Sequence, residues 1–484
     1  MTFTSFTFYL FLPVVYLIFY WTADRWRWLV LLVASYGFYA SFKAPYLLIV
    51  LFMVTIISYV CGSRIGSHQD ETGRKRWLQI GVVACVAILA FLKYLPFFET
   101  HTNTLFGLNI TLSRTIISIG VSYFTFQAIS YLADIYLEIE DPEKHFGHYA
   151  LYMAFFPKLL QGPIERAGYL LPQLKQPYQF DYDAMRSGLL LFTWGLFKKV
   201  VVADRFALYA DQVFNNVHSY TGLTLIIGTY AYAFQIFFDF SAYTDMARGV
   251  GRMFGINLTE NFNSPYLATS IADFWRRWHI SFSRWILDYI FKPLQLGWRD
   301  WGQTGTALAL LVTFFVSGIW HGASWGFVIW GLLHGIYLAA STYYRPYQKK
   351  LHKMFGLEHS SWLKWWQVLV TFNLVSLAWI FFRAKSLGDA WYIVNNIAHT
   401  GFDYKLARSN GIAGFLNENL FLNISMYDFT VLVVVLPVIW LLNKRIFSVF
   451  SKPALARWLS YALLLAVIAV FMCQDKPAFV YFQF

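Results

Sequence analysis

Charge is scarce in this chain. Lys, Arg, Asp and Glu make up 13% of its 484 residues, about half the share usual in a soluble protein. Apolar residues make up 58% and aromatics 21%. A soluble fold cannot hide so much apolar surface with so little charge to face water, so a polytopic helical membrane protein remains. Cysteine is scarce too. Cys61, Cys85 and Cys473 are the only three, each in or beside an apolar run and none at ligand spacing. That excludes a disulfide framework and a zinc site, and no metal centre is expected. Also missing are a Gly-rich phosphate loop, a GxSxG elbow and an HExxH helix. The first 24 residues hold no Lys or Arg, whereas a cleavable signal peptide opens on a basic stretch. Residues 5–21 therefore read as a retained span.

The charge that is present sums to +12. A nucleic-acid binder would gather its basic residues on a soluble domain. Here they fall in short loops between apolar runs, as in Arg74-Lys75-Arg76 and Lys198-Lys199, which is the positive-inside bias of a membrane protein. Lipid is the expected surrounding, and nucleic acid is not an expected partner. Apolar segments lie near 5–21, 28–42, 45–61, 78–98, 115–137, 148–160, 187–203, 222–240, 305–320, 323–341, 364–382, 427–443 and 457–473. Several are shorter than the ~20 residues a perpendicular span needs, which predicts about 11–13 membrane elements, some re-entrant or tilted. Segment 62–77 carries Arg64, Arg74, Lys75 and Arg76, and segment 99–113 carries no Lys or Arg. The first is expected in the cytoplasm and the second outside, which puts the N-terminus outside.

The stretch from Phe238 to Asp300 mixes charge with aromatics and reads as too polar to span simply. Amphipathic or re-entrant structure lining a polar cavity is expected there. No linker or internal repeat is evident, so residues 1–484 read as one integral domain with a motif-bearing core at roughly 148–400.

Ser317-Gly-Ile-Trp-His-Gly-Ala-Ser-Trp325 places an imidazole between two apolar runs. A titratable group at membrane depth is costly and marks function, and His is the side chain best suited to move a proton near neutral pH. His321 is expected at a helix start, where free N–H groups stabilise a developing oxyanion. His334 follows 13 residues later. On one helix the two would stand about 220° apart, too far round to form a pair or share a metal. One is then chemical and the other structural or peripheral. His334 stays a possible site residue, although a hydrogen bond to Trp320 or Trp325 would account for it.

In Trp275-Arg-Arg-Trp-His279, the plainer reading is an interfacial belt. The functional one is recognition of an anionic donor or acidic carrier by Arg276 and Arg277, with His279 assisting. Gln161-Gly-Pro-Ile-Glu-Arg166 breaks a helix and sets Glu165 beside Arg166. It reads either as a turn with a local ion pair or as a cavity wall that orients substrate. Asp239 and Tyr243 are candidates for substrate binding. Asp239 and Asp245 stand about 240° apart on a helix and are not a one-faced carboxylate pair, which disfavours aspartyl chemistry. One of them can instead pair with Arg276 or Arg277.

Together with Phe238-Asp-Phe-Ser-Ala-Tyr243, Trp320-His-Gly322 and Tyr481-Phe-Gln-Phe484, these motifs resemble the membrane-bound O-acyltransferase (MBOAT) family. The likeness is closest to the bacterial branch that serves alginate and peptidoglycan O-acetylation. The resemblance covers essentially the whole chain. It implies an all-α multi-helix bundle enclosing a tunnel, with the family's catalytic histidine at His321 and its second histidine at His279. It implies an acyl thioester donor such as acetyl-CoA on the cytoplasmic side, with no bound cofactor. It further implies an extracytoplasmic acetyltransferase partner that modifies a polysaccharide, and a place in the bacterial inner membrane. The alternatives are D-alanyl transfer to teichoic acid, a lipid-linked sugar transporter, and a purely structural membrane subunit.

Overall fold

The computed structural model describes residues 1–42, 44–107, 120–358, 360–399, 416–422, 424–442 and 454–473, with positions 411, 414 and 479. The closing Tyr481–Phe484 motif and the start of the expected 115–137 span lie outside the described residues. Among the described residues every regular element is helical. In chain order they are α1 (Phe6–Trp21), α2 (Asp24–Ala40), α3 (Pro45–Ser67), α4 (Glu71–Phe106), α5 (Val121–Tyr136), α6 (Phe146–Ala154), α7 (Ala167–Lys175), α8 (Tyr182–Phe197), α9 (Asp204–Asn215) and α10 (Gly222–Met253). Then come α11 (Ile271–Arg277), α12 (Ile280–Ile286), α13 (Lys292–Gly297), α14 (Gly302–His321), α15 (Trp325–Met354), α16 (Ser361–Arg383), α17 (Leu387–Asn396), α18 (Met426–Leu442) and α19 (Ala454–Phe471). Six described helices are long and apolar enough to cross a membrane: α3, α4, α10, α14, α15 and α16. Several others, α1 among them, are apolar but shorter. The all-α, multi-pass membrane class expected from composition is the class observed.

The chain forms two compact units interleaved in sequence. One comprises Met1–Phe192, Tyr243–Asn261 and Ser281–Tyr289, the other Thr193–Ala242, Phe262–Ile280 and Ile290–Phe484.

In the first unit, the expected 148–160 span does not form. Helix α6 stops at Ala154, and turns lead on to Gly162. Pro157 and the Gly162-Pro163 pair explain the stop, because proline removes a donor and disfavours helix in the residue before it. The irregular backbone from Phe155 to Glu165 is nonetheless buried throughout. Side chains satisfy part of it: Tyr152 donates to the Glu165 carbonyl at 3.0 Å, Phe156 N–H to Ser35 Oγ at 3.0 Å and Ile164 N–H to Ser281 Oγ at 3.0 Å. Irregular backbone at membrane depth is tolerated only where protein buries it in this way.

In the second unit, Lys198 and Lys199 do not lie in a loop. Helix α8 runs on through a π-helical turn, Lys198–Ala203, into α9. Both ammonium groups are buried, at 4% and 3% exposure. The Asp204 N–H bonds the Lys199 carbonyl, five residues back, which is the π repeat and stacks the two side chains. Lys199 Nζ then lies 2.9 Å from Asp204 Oδ1 and 2.6 Å from Asp239 Oδ1. Lys198 Nζ donates to Ser241 Oγ at 3.0 Å. With its charge paired inside the protein, α10 continues past residue 240 to Met253. The polar stretch expected from Phe238 onward therefore begins on a spanning helix, and only the chain beyond Met253 breaks into short helices.

Helices α14 and α15 form a close hairpin. A Cβ on Gly318 would stand 2.5 Å from the Phe327 carbonyl oxygen, and one on Gly331 would stand 3.0 Å from Gly318 Cα. Small residues let membrane helices approach backbone to backbone, and here they fix the two helices that carry His321 and His334.

Removing the cation from a buried ion group leaves uncompensated charge, at a cost of about 3–5 kcal/mol. Lys199→Met would leave two facing carboxylates, whereas Asp239→Asn would keep a neutral Lys199–Asp204 pair. We expect Lys199→Met to lower the thermal unfolding midpoint in detergent far more than Asp239→Asn. Equal losses would contradict this account.

Candidate active site

His321 is the last residue of α14, not the first residue of a helix. The sequence break at Gly322 ends one helix before Ser324 caps the next. The helix-end field at His321 is therefore negative, opposite in sign to the expectation, and the free N–H groups belong to the first turn of α15. The imidazole is 4% exposed. It is boxed by aromatic rings, with centroids 4.4 Å away for Trp320, 4.8 Å for Trp330, 4.9 Å for Phe382 and 6.0 Å for Phe327. Gly322 is required at the turn, because a Cβ there would meet the Phe327 ring at 2.9 Å.

His334 lies on α15, so the one-helix geometry expected for the two histidines does not arise. Both rings pack on Trp330, His321 at 4.8 Å and His334 at 5.1 Å. Trp330 and His334 are four residues apart and share a helix face. His334 is fully buried and accepts a 3.2 Å hydrogen bond at Nδ1 from Trp275 Nε1, not from Trp320 or Trp325. His279 occupies the link between α11 and α12 with φ at 41°, a left-handed conformation that His adopts more readily than most residues. It is 1% exposed, with its ring edge-on to Phe240 at 4.7 Å. Burial pushes its imidazole down to about 3, so it is neutral at physiological pH. The neighbouring Trp278 continues the aromatic cluster, with Trp379 at 5.1 Å and Trp379 stacked on Trp330 at 5.8 Å.

The arginines separate. Arg277 pairs with Asp273 one helical turn earlier, at 2.9 Å, while Arg276 is exposed. Neither takes Asp239 or Asp245. Asp239 is held by Lys199, and Asp245 faces Arg248 at 3.5 Å. The reason is reach: the two aspartates lie within a continuous helix whose own neighbours supply the cations.

In the first unit, Glu165 and Arg166 are adjacent but do not pair. Glu165 accepts from the Thr259 N–H at 2.6 Å and the Thr259 hydroxyl at 2.7 Å. Arg166 turns to Asp288 at 3.0 Å and lies over the Tyr289 ring at 4.1 Å. Extended backbone at the residue before α7 points successive side chains to opposite sides. Tyr243 is fully buried and stacks on Phe3 at 4.8 Å.

Three residues of note were hidden from sequence reading. Lys158 is 1% exposed and donates to Gln127 Oε1 at 2.7 Å, but hydropathy assigned it to a span. Lys199 could have been noticed, because no Pro interrupts the helical run around it. Trp330 is legible only through its i,i+4 relation to His334. Among the described residues no three of His, Cys, Asp and Glu are grouped so as to hold a metal ion.

Fold and site thus define a multi-pass helical membrane protein with buried histidines in an aromatic centre. Residues 138–382 match the membrane-bound O-acyltransferase family. The chain is 36% identical over 429 residues to the peptidoglycan O-acetyltransferase of Helicobacter pylori, covering 83% of this chain and 79% of the relative. To the probable alginate O-acetylase AlgI of Pseudomonas aeruginosa it is 38% identical over 402 residues, covering 81% and 74%. To the teichoic acid D-alanyltransferase of Bacillus subtilis it is 26% identical over 275 residues, covering 55% and 69%. The chain belongs to the MBOAT family and is an O-acyltransferase.

Burial pushes the Glu165 carboxyl up to about 7, against the pull of the Thr259 hydrogen bonds, Lys158 and Arg248. A carboxyl raised on folding binds more protons folded than unfolded, so its contribution is complete below the unfolded value and is lost as pH rises through the folded one. Glu165→Gln removes that dependence. We expect the midpoint of Glu165→Gln, relative to wild type, to rise between pH 5 and pH 8, as read by thermal unfolding at both. A difference that stays constant would count against ionisation of Glu165 in this range.

Proposed function

We propose that this enzyme moves an acetyl group from a cytoplasmic thioester, acetyl-CoA or a similar donor, for O-acetylation of an extracytoplasmic polysaccharide. The polymer is an alginate-type exopolysaccharide or peptidoglycan, the substrates named for its relatives at 38% and 36% identity. An extracytoplasmic acetyltransferase completes the transfer to polymer. The observation that carries the chemistry is His321, an imidazole buried in an aromatic, water-poor centre.

His321 acts as general base. It takes the proton of an acceptor hydroxyl as the oxygen attacks the thioester carbonyl. Positive charge then appears on the ring next to the negative end of α14, where a cation is favoured. General-base catalysis of this kind contributes about 10²–10⁴-fold. His279, neutral and enclosed, assists from the α11–α12 link. Arg276 and Arg277 attract the anionic donor, while Glu165, Asp239 and Tyr243, which are buried, and Arg166, which is half-buried, contribute to substrate binding by holding the backbone around them in place. His334 supports the centre through Trp330. D-alanyl transfer is the second reading, because teichoic acid D-alanyltransferases are among the relatives, at 26–27% identity.

The basic residues at 64–76 support an orientation with this segment in the cytoplasm of a bacterial inner membrane and the N-terminus outside. Impermeant thiol labelling of a cysteine placed at His68 checks it, and labelling from outside would reverse the orientation.

The test of function is the ester acetate content of secreted and surface polysaccharide in cells with wild-type protein, His321→Ala or no copy. We expect acetate to fall equally in the mutant and the deletion, with His321→Ala still present in the membrane. Retained acetate with His321→Ala removes the histidine from the chemistry. Retained acetate in the deletion, with ester-linked D-alanine lost instead, selects the second reading.

A further inference from the structure

Two adjoining N–H donors of the histidine centre are among the buried groups with no acceptor among the described residues. Trp275 Nε1 donates to His334 Nδ1 at 3.2 Å. An indole N–H only donates, so Nδ1 is the bare nitrogen and neutral His334 carries its proton on Nε2. That Nε2–H is fully buried and has no partner among the described residues. The Nε1–H of Trp330, on a side chain 1% exposed, has none either. The two rings touch at 5.1 Å, and Trp330 also meets His321 edge-on at 4.8 Å.

A buried donor without an acceptor carries a free-energy penalty, and such groups call for an explanation. Trp with its N–H unmet is unusual, because the indole normally finds a partner when buried. Here both unmet donors sit on rings in contact with one another, one of them against the proposed base. An oxygen that gains charge only during reaction would satisfy both, and fixed donors aimed at such an oxygen are among the strongest catalytic devices.

We propose that Trp330 Nε1–H and His334 Nε2–H form the oxyanion hole of the acyl transfer, with the thioester carbonyl oxygen as their ligand. This rests on His321 being the general base. The acceptor oxygen bonds to the carbonyl carbon while its proton passes to His321, and the carbonyl π pair moves onto the oxygen held by the two N–H groups. Collapse restores the C=O bond and breaks the C–S bond. The sulfur leaves with the pair and takes the proton back from His321, giving ester and thiol. Trp275 is a positioning residue: by occupying Nδ1 it keeps the His334 proton on Nε2. Without it the ring is free to turn a lone pair toward the oxyanion.

The experiment is thiol release from acetyl-CoA by membrane vesicles that contain the full chain and its native acceptors, measured over a range of acetyl-CoA concentrations. Trp330→Phe keeps the ring and loses the N–H. It should lower turnover about 10²-fold with KM nearly unchanged. His334→Asn, whose amide stands where Nδ1 does, should lose a similar amount. His334→Gln, whose amide reaches the place of Nε2, should recover part of it. Trp275→Phe should fall in between. His321→Ala is run alongside. If His321→Ala is inactive and Trp330→Phe turns over like wild type, the oxyanion hole is overturned and the base stands. If His321→Ala remains active, the base reading itself fails. A rise in KM at constant turnover assigns Trp330 to packing and overturns the proposal. Should Trp330→Phe unfold at lower temperature, the His334 pair decides: equal rates for Asn and Gln mean that the unmet N–H groups hold water only.

Discussion

The hairpin of α14 and α15 closes because two glycines let backbones touch. At Gly318 and Gly331 even one methyl group would collide with the facing chain. That approach brings the end of one membrane helix and the first three turns of the next around a single indole, Trp330. His321 and His334 become neighbours of the same ring although 13 residues separate them. The aromatic box around the centre uses the same contact, since Phe327 and Trp330 of α15 meet His321 across this hairpin, and Phe382 of α16 closes a further side.

Charge within the apolar bundle obeys a related rule. Water cannot satisfy a buried ion, so the protein must. Lys199 is held between Asp204 and Asp239, and a π-turn supplies the five-residue stagger that stacks Lys199 under Asp204. The buried backbone from Phe155 to Glu165 takes part of its donors and acceptors from side chains for the same reason. Both features occupy stretches in which hydropathy alone sees only membrane.

Much of the architecture was readable from residue order. Low charge, long apolar runs and the absence of cysteine frameworks specified a helical membrane protein, and the ordered motifs specified the family. His321 stood out because an imidazole between two spans has few structural uses. The errors were local and share a cause. The 148–160 run looked like a span, but Pro157 and Gly162-Pro163 break it and neighbouring side chains satisfy part of the buried backbone left unpaired. Lys198-Lys199 looked like a loop signal, because pairing with Asp239 depends on a residue forty positions away. Glu165 and Arg166 looked like partners, but extended backbone turned them apart.

Residue order settled solvent and class, because hydropathy and composition act residue by residue and need no knowledge of neighbours. Packing set which end of a helix His321 occupies, which carboxylates hold Lys199, and which tautomer Trp275 imposes on His334. Those depend on atoms brought within a few ångströms by packing, and packing joins residues whose separation along the chain carries no trace of the contact.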